Sequence, residues 1–159
     1  DKDFTIRIAQ PSDALEIKDL FQDTVLNINK RDYSKAEVED WASCGNDISH
    51  IKEMIRTYFF IVATNQQLQV VGFASITQQG YLHSMFVHKD FQGKGIATIL
   101  LNKIERYATA TGLIRITSEV SLTARSFFEK RGYIVEEEQK RKANMLSLTN
   151  FWMAKKLSK

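Results

Sequence analysis

The 159-residue sequence has one cysteine, one proline and seven glycines. The single cysteine, Cys44, cannot form an internal disulfide, and such sparse use of cysteine is typical of a reducing compartment. So little proline and glycine leaves no room for a low-complexity linker, and no internal repeat is visible. We therefore expect a single domain over residues 1–159, located in the cytoplasm.

Long apolar runs and a strong charge of one sign are missing as well. No apolar stretch approaches the about 18 residues of a membrane helix, and no signal peptide is visible, so we expect no membrane partner. The net charge is +3, from 22 Lys and Arg against 19 Asp and Glu. No basic stripe is interleaved with aromatic residues, which argues against a nucleic-acid partner. The histidines lack metal-ligand spacing, so we expect no metal.

What is present is an ordered series of strand and helix patterns. Strands are predicted over residues 4–9, 58–63, 68–77, 81–87, 113–120, 134–135 and 145–155. Helices are predicted over 15–28, over 30–57 as two short helices broken near Gly45, over 95–111, and from Ser121 to about residue 130. The charged stretch 136–142 is interpreted as a solvated turn. We expect an α/β fold with a mixed, mostly antiparallel sheet of about seven strands and helices on both faces.

The segment around Gly93 and Gly95 carries the clearest chemistry. An apolar strand ends near Val87, a polar turn follows, and the two glycines open an amphipathic helix. The first backbone N–H groups of a helix lack internal partners, and the helix dipole places positive charge there. Glycine leaves those groups open to a phosphate. Residues 92–97, hereafter the 92–97 loop, are therefore predicted to bind a pyrophosphate or a similar anion.

Two stretches resemble the Gcn5-related N-acetyltransferase (GNAT) family. Gln92-x-x-Gly95-x-Ala97 resembles its Q/R-x-x-G-x-G/A signature, which binds the pyrophosphate of acetyl-CoA, whereas a dinucleotide fingerprint and a Walker loop do not fit. Residues 121–133 resemble the family's N-x-x-A-x-x-F-Y-x-x-x-G-F, and the predicted element order is also that of GNAT proteins. The resemblance covers nearly the whole chain and is closest to a poorly characterised bacterial subgroup. It implies the GNAT fold and acetyl transfer from acetyl-CoA to a primary amine by direct attack in a ternary complex.

The resemblance also implies which residues hold acetyl-CoA. Backbone groups on the strand before the loop pair with the pantetheine arm, amides of the loop hold the pyrophosphate, and the second stretch contacts the arm. The implied residues are Met85, Phe86, Val87, Gln92, Gly93, Lys94, Gly95, Ile96, Ala97, Ser121, Ala124 and Phe128. Lys94 either adds charge to this site or is simply solvated.

Two positions depart from the family pattern. The usual Asn is Ser121, which still forms hydrogen bonds, and the usual Tyr is Phe128. In many family members that tyrosine protonates or hydrogen-bonds the departing thiolate. Phe128 cannot donate a proton, so the general acid is unassigned.

An amine acceptor must lose a proton near the thioester, so a base is useful. Strand alternation places Tyr81, His83, Met85 and Val87 on one face. His83 lies nine residues before Gln92, where family members often carry their base, and its ordinary pKa near 6.5 suits that role. A structural histidine is the alternative. Glu119 is the second candidate base, with a salt-bridged strand end as its alternative.

Residues 30–57 correspond to the wall of the acceptor site in GNAT proteins. Tyr33 and Trp41 in this segment, together with Tyr81, are predicted to contact the acceptor. Packing of Trp41 on the core is the alternative. The acceptor itself is not identified by any of these residues.

Three further alternatives stay open. A GNAT-fold sensor that binds acyl-CoA without turnover is favoured by Phe128 and disfavoured by His83 with Glu119. A transferase that uses another donor, such as succinyl-CoA, keeps the same chemistry. Family members are often dimers, and in a homodimer we expect the last strand, 145–155, to pair across the interface.

Overall fold

A computed structural model describes residues 3–158 of the chain. Its strands are β1 (Thr5–Ile8), β2 (Phe59–Thr64), β3 (Val70–Ile76), β4 (Tyr81–Val87), β5 (Arg115–Ser121), β6 (Ile134–Lys142) and β7 (Ser147–Lys156). Its α-helices are α1 (Ala14–Asn27), α2 (Lys35–Ser43), α3 (Ile48–Thr57), α4 (Ile96–Ala110) and α5 (Arg125–Glu129).

The strands form one seven-stranded sheet in the order β1-β2-β3-β4-β5-β7-β6. Every neighbouring pair is antiparallel except β4 and β5, which run parallel. The mixed, mostly antiparallel sheet predicted from the sequence is confirmed. None of the helices within residues 3–158 is long and apolar enough to cross a membrane.

Local sequence explains where the helices begin and end. Ser34 accepts a hydrogen bond from the Glu37 amide, and the Glu37 carboxylate accepts one from the Ser34 amide, so a capping box starts α2. Asp47 caps α3 through the His50 amide. Gly112, with φ of +85°, ends α4 in the left-handed conformation.

Helices cover both faces of the sheet. On one face α4 buries Ile96, Leu100 and Ile104 against the strands, and on the other α1 and α3 bury Ile17 and Ile51. Burying each such side chain contributes about 1.5–3 kcal/mol.

Gly72 in β3 sets how closely α4 approaches the sheet. A Cβ atom at Gly72 would lie 2.9 Å from Ile96 Cγ2 and 3.0 Å from Leu100 Cδ1. A larger residue would therefore push α4 and the 92–97 loop away from the sheet.

Two predictions about the C-terminal third are wrong. The charged residues 136–142 form most of β6 and not a turn. β6 is an edge strand. Charged, solvated side chains commonly protect such a strand from pairing with another chain, so its sequence has the composition expected of a solvated turn. The last strand, β7, lies between β5 and β6 and is hydrogen-bonded on both sides. It has no free edge to pair across an interface, and a homodimer would have to use another surface.

Candidate active site

β4 and β5 separate shortly after they meet. They pair only at Tyr81 with Thr117 and at Leu82 with Ser118, and the Ser118 hydroxyl donates to the Leu82 carbonyl at 2.8 Å. Beyond this point the two strands are no longer paired. We call the space between them the β4–β5 gap.

His83 and Glu119 occupy the next register positions, at the mouth of this gap. His83 sits in a β-bulge, because Leu82 pairs with Ile76 and Ser84 pairs with Ser75, which leaves His83 as an extra residue. Bulges of this kind re-aim a side chain and are common beside active sites.

The bulge overturns the predicted strand face. Met85 and Val87 pack in the core on the α4 side, whereas His83 contacts the rings of Tyr81 and Tyr58, at centroid distances of 6.0 and 5.5 Å. The prediction that Tyr81, His83, Met85 and Val87 share one face is therefore wrong, since one extra residue inverts the alternation.

Backbone groups of β4 point into the gap at alternate residues. The His88 amide donates to the Val71 carbonyl of β3 at 2.9 Å, and two residues earlier Phe86 is likewise turned toward β3. Met85 and Val87 therefore face the gap with their backbone. The prediction of free backbone groups at Phe86 is wrong, and this residue reaches the cleft through its ring.

The carbonyl of Val87 is already engaged. It accepts from the Thr24 hydroxyl at 2.9 Å and from Gln92 Nε2 at 2.7 Å. The Gln92 side chain thus folds back onto the end of β4 and holds the turn that leads into the 92–97 loop. This contact gives a structural reason for a glutamine at the first position of the signature.

The 92–97 loop presents an open helix N-terminus. Gly93 and Gly95 have φ of +73° and +84°, and no atom lies within 4 Å of a Cβ built at either position. The first helical bond runs from the Ile99 amide to the Gly95 carbonyl at 3.1 Å, so the amides of residues 96–98 have no partner within the helix. Lys94 is exposed beside them. This arrangement suits an anion.

Within the loop the remaining two predicted residues differ in burial. The Ile96 side chain is buried under α4, so only its backbone faces outward, whereas Ala97 lines the cleft. In the turn after α5, Arg131 Nη2 donates to the Thr98 hydroxyl at 2.6 Å and adds positive charge near the loop.

The segment between β5 and α5 forms the opposite side of the gap. The Ser121 hydroxyl accepts from the Ala124 amide at 3.1 Å, which leaves its own proton free to donate. Phe128 is buried, with its ring edge-on to Tyr133 at 5.1 Å, and lines the cleft.

Thr123, in the same segment, was not predicted from the sequence. Among the buried side-chain nitrogen and oxygen atoms of residues 3–158, Thr123 Oγ1 is the one without a hydrogen-bond partner, and the residue lines the cleft. Buried hydroxyl groups in proteins are nearly always paired. A ligand in the cleft would supply the partner.

These elements enclose a cleft of about 560 Å³ that runs from the 92–97 loop through the β4–β5 gap. Its far wall is formed by α1, α2, α3 and the β6–β7 hairpin. The size is sufficient for a cofactor arm and a small acceptor.

Tyr33 and Trp41, predicted to contact the acceptor, lie in this far wall. The Tyr33 hydroxyl donates to the Thr149 carbonyl at 2.6 Å and accepts from the Leu122 amide at 3.0 Å, and burial raises its pKa. Tyr33 therefore joins segments of this wall through its hydroxyl group, and its ring faces the cleft. Trp41 packs edge-on against Tyr33 at 5.7 Å, so its packing role is confirmed, and it lines the cleft as well.

Tyr81 stacks on Trp152 with ring centroids 5.8 Å apart. Burial, followed by the nearby Glu119 carboxylate, raises its pKa to about 12. Tyr81 is thus a neutral hydroxyl on the cleft wall at neutral pH.

The two candidate bases have different surroundings. The His83 side chain lines the cleft. The surrounding protein displaces water and lowers the pKa of His83, and the nearby His50 lowers it further, whereas Glu119 raises it. Its imidazole is therefore neutral at pH 7 and accepts a proton. Glu119 Oε2 accepts from Arg141 Nε at 2.9 Å and from Gln139 Nε2 at 3.1 Å, so the salt-bridged alternative is confirmed for Glu119.

Arg141 and His50 also line the cleft without having been predicted there. Arg141 belongs to the charged stretch that was interpreted as a turn. Their positions depend on how the hairpin and α3 fold over the sheet. Within residues 3–158, no group of three or more His, Cys, Asp or Glu side chains is placed to hold a metal ion.

Comparison with known proteins agrees with this geometry. Residues 29–157 match the family model described as an acetyltransferase (GNAT) domain. The chain belongs to the GNAT family. It is 28% identical over 149 residues to an uncharacterized N-acetyltransferase, YafP, of Escherichia coli K12, covering 93% of each chain.

Two solved structures show the same fold. A GCN5-related N-acetyltransferase from Rhodopseudomonas palustris is 30% identical, with a TM-score of 0.93 over 96% of this chain and 95% of that one. The PaiA N-acetyltransferase of Thermoplasma acidophilum, solved with coenzyme A, is 18% identical, with a TM-score of 0.80 over 96% and 98%. The protein is thus an acyltransferase, and membership of this family favours an enzyme over a sensor.

Proposed function

We propose that this protein transfers the acetyl group of acetyl-CoA to a primary amine by direct attack within one ternary complex. The observation that carries the proposal is the β4–β5 gap, with a neutral histidine at its mouth and an open helix N-terminus at its other end. The relative solved with coenzyme A supports this donor. We further propose that residues 1–159 form one domain that acts in the cytoplasm.

The residues of the gap fit the donor. Amides of the 92–97 loop would hold the pyrophosphate, with Lys94 adding charge, and backbone groups of Met85 and Val87 would face the pantetheine arm. The unpaired Thr123 hydroxyl and the free proton of Ser121 are the side-chain groups left to bind that arm. Acetyl-CoA supplies an activated thioester, and the protein orients it.

His83 is the proposed base. The amine nitrogen attacks the thioester carbonyl carbon, the C–S bond breaks as the C–N bond completes, and His83 accepts the amine proton. Glu119 acts as a positioning residue, because its carboxylate is committed to Arg141 and Gln139. With Phe128 unable to donate, the thiolate leaves without a tyrosine acid, and the unpaired Thr123 hydroxyl would hydrogen-bond the donor.

Calorimetric titration with acetyl-CoA, followed by thiol release against a panel of amines, tests the proposal. We expect binding and amine-dependent release. Binding without release for any amine would contradict the transferase and favour a sensor. Faster thiol release from succinyl-CoA than from acetyl-CoA would show that succinyl-CoA is the preferred donor, with the same mechanism.

A further inference from the structure

The side chains that line the cleft carry an excess of positive charge. Among the described residues that line the cleft, Arg31, Arg141 and Lys142 are cationic, and Glu119 is the single carboxylate. That carboxylate is neutralised by Arg141 at 2.9 Å. An acceptor with several ammonium groups would find no unpaired carboxylate here and would be repelled.

Arg141 has unused binding capacity. Its ion pair with Glu119 uses Nε, and within residues 3–158 its two terminal nitrogens have no protein acceptor. A guanidinium with a free planar edge binds a carboxylate through two parallel hydrogen bonds. Gln139, which bridges Glu119 Oε2 and Asn150 Oδ1 at 3.1 and 2.9 Å, holds Glu119 and so fixes the position of Arg141.

The phosphates of the donor do not account for this charge. They would lie at the 92–97 loop, which has its own amides and Lys94, whereas Arg141 pairs with Glu119 at the mouth of the gap. Arg141 therefore faces the acceptor and not the pyrophosphate.

The cleft also has an aromatic wall. Phe86 lies edge-on to Phe21 at 5.1 Å and to Trp41 at 6.0 Å, and Met54 lines the cleft beside them. Such rings favour an apolar or aromatic group.

Asp40 fastens this wall to the hairpin that carries Arg141. Its carboxylate accepts from the backbone amides of Asn144, Met145 and Leu146 at 2.9 to 3.1 Å. These bonds join α2 to the turn of the β6–β7 hairpin. The aromatic wall and the cationic edge are therefore parts of one preformed site.

We propose that the acceptor is a primary amine that also carries a carboxylate and an apolar side chain, as an α-amino acid does, and that Arg141 binds the carboxylate. This inference rests on the proposed function. The amine would lie at His83, the carboxylate at Arg141 and the side chain against Trp41 and Phe86.

Matched acceptor pairs test the inference: phenylalanine against 2-phenylethylamine, methionine against 3-(methylthio)propylamine, and spermidine as a polycation. We expect kcat/KM to be about ten- to a hundred-fold higher for each amino acid than for its decarboxylated partner, the range for a hydrogen-bonded ion pair. Spermidine should be the poorest acceptor.

The variant Arg141→Gln should raise KM for the amino acids and abolish the preference within each pair, and Arg141→Lys should restore part of it. The matched control is Lys140→Gln, which removes one positive charge from the next residue of β6, outside the cleft. Calorimetry with CoA should give the same Kd for all these variants, and thermal melting checks that each one folds.

The outcomes separate the inference from the proposed function. Absence of amine-dependent thiol release would contradict the function itself. Release that favours spermidine or the decarboxylated amines, or that is unaffected by Arg141→Gln, would overturn the inference and leave the function intact. A weakened CoA affinity in Arg141→Gln alone would assign this charge to the donor and overturn the inference too.

Discussion

Replacing Gly95 with alanine separates the backbone role of this glycine from its role in binding. Gly95 has φ of +84° at the start of α4, and Gly112 has φ of +85° just beyond the end of the same helix. A Cβ atom placed at either position would have no other atom within 4 Å. The two glycines are therefore a matched pair with equal backbone strain and equal space, one inside the 92–97 loop and one remote from it.

The magnitudes follow from this geometry. A left-handed alanine costs about 1–2 kcal/mol, so both variants should melt about 2–8 °C below the wild type. In Gly95→Ala the new methyl group also takes up open space at the N-terminus of α4, where the pyrophosphate would bind. Losing one charge-assisted hydrogen bond there costs about 1.5–3 kcal/mol, or roughly ten- to a hundred-fold in Kd.

Calorimetry with CoA and with 3′-dephospho-CoA measures the difference. Gly95→Ala should weaken both ligands by the same factor, because the loop is assigned to the pyrophosphate and not to the 3′-phosphate, whereas Gly112→Ala should bind as the wild type does. Wild-type affinity in Gly95→Ala, or an equal loss in Gly112→Ala, would refute the assignment of the loop.

Three other variants probe the base, the unpaired hydroxyl and the stability. Because the pKa of His83 is lowered, wild-type kcat/KM should fall on the acid side with a midpoint below 6.5; His83→Gln should lower the rate about a hundredfold and flatten that limb, and an unchanged profile would remove His83 as the base. Thr123→Val should weaken CoA binding without lowering the melting temperature of the free protein, since it removes an unpaired buried hydroxyl; a lower melting temperature with unchanged CoA affinity would indicate a purely structural role. Arg7 lowers the pKa of Asp13, first through their hydrogen bonds, so Asp13→Asn should be less stable than the wild type at pH 7. This difference should begin to shrink below the ordinary pKa of 3.8 and be lost as the pH falls through the lowered pKa of Asp13. A difference that does not shrink at all on acidification would contradict the ion-pair explanation.

Local patterns in the chain were enough to predict most elements of the fold. β4 was predicted at residues 81–87, where the structure has it, since an apolar strand followed by glycines is recognisable from neighbouring residues alone. α4 was predicted to within a residue at each end for the same reason. The 92–97 loop belongs to this class, because its conformation depends on Gly93 and Gly95.

The surroundings of the two candidate bases could not be predicted in this way. His83 was placed on the wrong face because the bulge depends on the pairing of β3 with β4. The hydrogen-bond partners of Glu119 lie 20 and 22 residues further along the chain. They belong to β6, whose charged sequence led to its interpretation as a turn. The hydrogen bonds of Tyr33 reach residues 89 and 116 positions away, and those of Asp40 reach residues 104 to 106 positions away.

The sequence by itself determined the family, most of the order of the elements and the loop proposed to bind the donor's pyrophosphate, because each rests on residues that are close together in the chain. Tertiary structure decided which side chains make up the candidate acceptor site. That site is assembled from α1, α2, α3, β4, β5 and the β6–β7 hairpin, and a site built from distant segments takes its charge and shape from how those segments pack. Arg141 beside Glu119, in one cleft with the ring of Trp41, is an arrangement that exists only in the folded chain.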